Sequence, residues 1–131
     1  MNTKLLLSAS AIFLGIAGIA GSFMPDELLR ALGVAPAGAL PLLVQLLAAL
    51  LFGFAMVNWT ARGSLIGGIY NRPIAIGNLA HFVIGALALV RGTMNAGPQR
   101  TIVLVAAAIY VVFAIAFSAV FFRSPVAPQK P

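Results

Sequence analysis

"TIVLVAAAIYVVFAIAFSAVFF", residues 101–122, runs twenty-two residues without a charge between Arg100 and Arg123. Its length matches the ~20 residues that carry a helix across ~30 Å of hydrocarbon. In that solvent no water is available to bond backbone N–H and C=O groups. A stretch of this length must therefore bond them internally, as a helix. The rest of the chain repeats the pattern. "LLLSASAIFLGIAGIAGSFMP" lies between Lys4 and Asp26, and "PIAIGNLAHFVIGALALV" between Arg72 and Arg91. Between Arg30 and Arg62 the run is longer, and "GVAPAGALP" is unsuited to a helix, so its span starts at Leu40. Four spans result, at about residues 4–24, 40–61, 73–90 and 101–122, in one domain covering 1–131 with a flexible tail at 124–131.

Composition agrees. Of 131 residues, 62% are hydrophobic and 8% charged, where soluble domains carry ~25% charge. Ten charged side chains cannot solvate the exterior of a domain this size. The net charge of +6 is scattered between apolar runs, so it marks membrane flanks and lipid head groups, not nucleic acid. With no cysteine, disulfides, thiolate catalysis and Cys-ligated metal are excluded. The first span also has the look of a signal peptide ending at "GIAGS". Its apolar run continues to Met24, beyond the ~7–15 residues of a signal core, and an uncleaved helix is expected.

Orientation follows from basic residues. Lys4, Arg62, Arg72, Arg123 and Lys130 fall on the side of the termini, and Arg30, Arg91 and Arg100 on the other. Five against three places both termini in the cytoplasm, with Trp59 and Tyr70 near that interface. Between the first two spans, "PDELLRALG" opens with Pro25 at a first helical position and Asp26 and Glu27 where the helix dipole favours negative charge. Asp26 and Arg30 are spaced i, i+4, Leu28, Leu29 and Leu32 share one side, and Gly33 can end the turn. This reads as a short interfacial helix, with an extension of the preceding span as the alternative.

Helices in lipid associate where small residues let backbones approach. Stripes that satisfy this are Ser8, Ala11, Gly15, Gly18 and Ser22 on the first span and Gln45, Ala49, Gly53 and Met56 on the second. The third offers Gly77, Asn78, His81, Gly85 and Ala88, and the fourth Ala107, Tyr110, Ala114 and Ser118. The expected fold is an all-α integral membrane four-helix bundle with a short interfacial helix. Phe113, Phe117, Phe121 and Phe122 are expected partly toward lipid.

Asn78 and His81 stand in the third span, one turn apart. Neither faces hydrocarbon cheaply, so both should point inward. One reading is a structural network with Gln45 or Tyr110 that fixes helix register. The other is a ligand site made of Asn78, His81, Gln45 and Tyr110, a polar anchor for a quinone or lipid carbonyl in an apolar cleft. A bis-His haem site lacks its second histidine. No Asp or Glu lies in any span, which removes the carboxylate that proton-coupled exporters use. One His and two acids cannot build a zinc or di-iron centre. Neither a cofactor nor a metal is expected, and no enzymatic activity. A second constellation is "VNWTARGSLIGGIYNRP", residues 57–73. There Asn58, Trp59, Arg62, Asn71 and Arg72 are candidates for holding an anion or lipid head group, the arginines as a clamp and Gly63, Gly67 and Gly68 as a flexible backbone. The alternative is a tight turn whose arginines only mark the cytoplasmic side.

At "FMPDELLRALG" (23–33) followed by "LLFGFAMVNWTARG" (50–63), the chain resembles the small bacterial four-helix inner-membrane proteins grouped as DoxX-like, closest to their uncharacterised members. The likeness covers nearly the whole chain in helix number and spacing. DoxX itself is associated with a membrane subunit of thiosulfate:quinone oxidoreduction, so the resemblance implies a redox accessory role in the bacterial inner membrane. Without cysteine, sulfur chemistry on the chain's own thiols is not available to it. The expected function is a non-catalytic accessory or assembly subunit, or a binder of quinone or lipid, partnered by membrane lipids and by another subunit or a second copy. A small oligomeric transporter or channel is the alternative.

Overall fold

The computed structural model describes residues 2–63 and 71–123, with the Arg123 side chain left aside; Tyr70, the glycines at 67 and 68, and the tail at 124–131 lie outside the described residues. Helix α1 spans Thr3–Phe23, α2 Pro25–Ala31, α3 Leu40–Ala61, α4 Arg72–Gly92 and α5 Arg100–Arg123, with a 3-10 turn at Gly97–Gln99 before α5. The described residues contain no strand. Four of the helices are long and apolar enough to cross a membrane, so the chain is a multi-pass membrane protein with a four-helix bundle architecture.

The ends of these helices follow from local chemistry. The Asn2 side chain accepts from the Leu5 N–H at 3.3 Å and caps α1. Pro25 stops α1 and starts α2, whose first turn carries Asp26 and Glu27. Gly33, at φ +75°, closes α2. Its N–H donates to the Arg30 carbonyl and that of Val34 to the Leu29 carbonyl, both at 2.9 Å, a Schellman motif. The Asp26–Arg30 spacing produces no ion pair here. Of the three leucines in this segment, Leu29 is buried while Leu28 and Leu32 are exposed. They do not share one environment, because Leu29 turns into the bundle.

The helices pack as two pairs, α1 along α3 and α4 along α5, with sparse contact between the pairs. Gly18 explains the first pair. A Cβ built there would lie 2.8 Å from the Phe52 backbone N and 2.9 Å from the Ala48 carbonyl oxygen. Only glycine permits that approach. At Gly21 the same test meets the Ala48 Cβ at 2.7 Å. The face of α3 that meets α1 is therefore Ala48, Ala55 and Asn58, all buried. The residues of the stripe expected on sequence grounds, Gln45, Ala49, Gly53 and Met56, are all exposed, although Gln45 still bonds to α1 and Met56 borders the α1–α3 seam. At Ala49 and Met56 the expectation is off by one residue from the buried Ala48 and Ala55, a rotation of ~100° about the helix axis. The small residues that mattered were Ala48 and Ala55.

The core between the pairs is aromatic. Phe82 is fully buried, its ring centroid 4.7 Å from that of Phe113 and 5.5 Å from that of Phe117. Phe117 was expected partly toward lipid but is 0% exposed. It stacks on Phe82 because α5 turns the Ala107, Ala114 and Phe117 face inward, while Phe122 on the other face is exposed.

Candidate functional site

Asn78 and His81 go to different places. Asn78 is fully buried and pairs with Asn58 of α3 in a reciprocal amide ring: each Nδ2 donates to the other's Oδ1 at 2.7 Å. The Asn58 Nδ2 also donates to the Ser10 Oγ at 3.0 Å, and the Asn78 Nδ2 to the Ile74 carbonyl at 2.9 Å. The Ser10 hydroxyl in turn donates to the Leu7 carbonyl at 3.0 Å. Three helices are thereby tied together by a sealed polar cluster. Among the described residues no buried side-chain N or O lacks a partner. Asn58 therefore belongs to the packed interior, and its grouping with an anion-binding loop is corrected. It sits three residues before the end of α3 at Ala61, ~4.5 Å along the axis, still within the helix and on the Ala48–Ala55 face.

His81 lies nine residues into α4, ~13.5 Å from its start and so close to mid-span. It is half-buried among rings. Phe54 of α3 stacks on it with centroids 5.2 Å apart and planes 24° from parallel, and Phe82 meets it edge-on at 5.0 Å. Its Nε2 is 3.3 Å from the Tyr110 hydroxyl of α5. Tyr110 is held in place by Gly85, where a Cβ would come within 2.5 Å of the phenol ring. Gln45 is elsewhere: its Nε2 donates to the Ser22 carbonyl at 3.2 Å, toward the far end of α1 and α3. Of the four residues grouped on sequence grounds, the structure brings together only His81 and Tyr110. Asn78 is one turn away with partners of its own.

Beside this pair, α3 and α4 diverge around a cleft of about 680 Å³. Leu47, Leu50 and Phe54 form one wall, Gly77 and Ile84 the other, with His81 and Tyr110 at its base. The volume is in the ~300–1,000 Å³ range of ligand clefts. Gly77 and Gly85 keep the α4 wall low. The His81 Nδ1 has no hydrogen-bond partner among the described residues. Since no buried side-chain nitrogen there is unsatisfied, this atom is not sealed in the interior, and the residue that carries it lines the cleft. Phe54 and Ser10 were not singled out from the sequence. Phe54 carried no polar signal, whereas Ser10 stands seven residues into α1, at a depth where a hydroxyl calls for a partner.

The remaining candidates stand at the end of the bundle that holds the N-terminus. The Arg62 Nη1 donates to the Trp59 carbonyl at 2.6 Å, and its guanidinium lies 3.5 Å from the centroid of the Trp59 ring system. Arg72, the first residue of α4, is 5.6 Å from the Phe121 ring centroid. Asn71 precedes α4 as its N-cap without a side-chain cap bond. The two arginines are thus engaged with different aromatic residues, and the glycine loop proposed to join them falls at 64–70, outside the described residues. No group of three or more His, Asp or Glu side chains comes together among the described residues. Compared with protein-family models, curated proteins and solved structures, the chain matches none.

Proposed function

We propose that the protein binds one hydrophobic ligand bearing a carbonyl, a quinone or a lipid ester, in the α3–α4 cleft, without catalytic activity of its own. The observation that carries this reading is an accessible imidazole nitrogen near mid-span in an otherwise apolar cleft. A polar atom left open to hydrocarbon is costly, and a ligand oxygen removes that cost. When the Tyr110 hydroxyl donates to Nε2, the ring proton sits on Nδ1 and faces the cleft as a donor. The Phe54 ring, stacked on His81, supplies a flat apolar surface beside it. This agrees with the accessory role that the DoxX-like resemblance implies, in a bacterial inner membrane with both termini cytoplasmic. Against conduction, the Ser10–Asn58–Asn78 cluster is sealed and its groups bond each other, so among the described residues it opens no polar path to His81.

Purification in mild detergent, organic extraction and mass spectrometry test the proposal. The native chain should carry a stoichiometric quinone or lipid, and His81→Leu should lose it with little change in thermal stability. Equal ligand content in both proteins would reject the site.

A further inference from the structure

We propose a second binding site, for an anionic phospholipid, at the seam between α1 and α3. One acyl chain lies in an apolar groove and the phosphate is held by Arg62 and Lys4. The groove, of about 180 Å³, is lined by Ala11, Ile12, Gly15, Phe52, Met56 and Trp59. Its floor is low because α1 places the small Ala11 and Gly15 there, with Ile12 at one side and the larger side chains of α3 standing over the furrow. None of these residues lines the α3–α4 cleft.

The groove ends at Trp59, and Trp59 carries a cation. The guanidinium of Arg62 lies over its ring system at 3.5 Å, and one N–H is tied to the Trp59 carbonyl at 2.6 Å. That bond uses one of the five guanidinium donors and fixes the group at the groove mouth. The remaining donors suit two oxygens of a phosphodiester, which guanidinium binds in a bidentate fashion. Lys4 adds a second positive charge at the same end. It is exposed, and the steps 4, 8, 11, 15 put it on the α1 face that holds Ala11 and Gly15. No Asp or Glu side chain lies at this end to pair with either cation, since the only two, Asp26 and Glu27, lie in α2 beyond the far end of α1. Apolar groove, interfacial indole and uncompensated cations follow one another in the order of acyl chain, glycerol and phosphate.

Trp59 is the only tryptophan and lines the groove, so its fluorescence reports occupancy. The protein is reconstituted in phosphatidylcholine vesicles. Phosphatidylglycerol or phosphatidylcholine, each brominated high on its acyl chains, is then titrated in. Each basic residue near the surface contributes about fivefold in anionic-lipid affinity. Brominated phosphatidylglycerol should therefore quench at a mole fraction at least about fivefold below that of brominated phosphatidylcholine, and Arg62→Gln and Lys4→Gln should each reduce that preference. Coincident titrations for the two lipids overturn the site. So does a preference unchanged in both variants. Loss of the preference in millimolar inorganic phosphate would assign the cations to a free anion and overturn the lipid.

Discussion

Replacing Asn78 by Leu removes two of the interhelical bonds of the sealed cluster, the 2.7 Å pair exchanged with Asn58. Interhelical polar contacts in membranes average ~0.6 kcal/mol by double-mutant cycles, so the pair should couple by ~1.2 kcal/mol. In the single variant the Asn58 Oδ1 is stranded in a fully buried site, although the Asn58 Nδ2 keeps Ser10. An unsatisfied buried acceptor costs ~1–3 kcal/mol. Asn78→Leu should therefore destabilise by ~1–3 kcal/mol. Asn58→Leu should cost more, because it takes the bond to Ser10 as well. The double variant Asn58→Leu/Asn78→Leu strands neither amide and should be less damaging than the sum of the singles by ~1 kcal/mol. Titration of the folded protein from mild detergent into dodecyl sulfate, followed by circular dichroism, measures all four stabilities. Additivity of the two singles within ~0.3 kcal/mol would refute the pairing.

Two glycines should separate close approach from mere smallness. Gly18→Ala drives a Cβ into the α3 backbone at 2.8 Å and should cost ~1–3 kcal/mol, whereas Gly53→Ala meets nothing within 4 Å and should gain up to ~1 kcal/mol from helix propensity; the same titration decides. Phe117→Ala empties the centre of the aromatic core and should cost ~3–5 kcal/mol, while Phe122→Ala, 79% exposed in the structure, should stay within ~0.5 kcal/mol. For topology, alkaline phosphatase fused after Asn95 should be active and after Gln129 inactive. The opposite pattern would invert the orientation.

The four long helices were legible because charge is rare here. Each apolar run is bracketed by Lys, Arg or Asp, and α3 and α5 begin and end at or beside those brackets or the Pro-rich break. The rotation of each helix was not legible in the same way. In water the polar face of a helix reveals its buried face; in lipid both faces are apolar, and α3 offers Ala48 and Ala49 equally. What separated them was the partner, Gly18 and Gly21 on α1, which accept Ala48. Asn58 shows the same difficulty. Its nearness to Arg62 suggested a surface loop, although Ala48, Ala55 and Asn58, at steps of seven and three, already marked one helical face. The contact between His81 and Tyr110 was suggested by depth alone, because an imidazole and a phenol near mid-span each need a polar neighbour. The cleft beside them depends on how the two helix pairs diverge, which no local pattern encodes.

Whether the α3–α4 cleft holds a ligand is decided by native mass spectrometry of a variant that obstructs it. Ala80 lines the cleft, and Ala80→Phe places an aromatic ring in it beside His81 while leaving His81 and Tyr110 unsubstituted. Gly53→Leu is the matched control, adding bulk where nothing lies within 4 Å of the new Cβ. One quinone or lipid should be bound per chain in the native protein and in Gly53→Leu, and none in Ala80→Phe. A folded Ala80→Phe that retains the native ligand stoichiometry would rule out binding in this cleft.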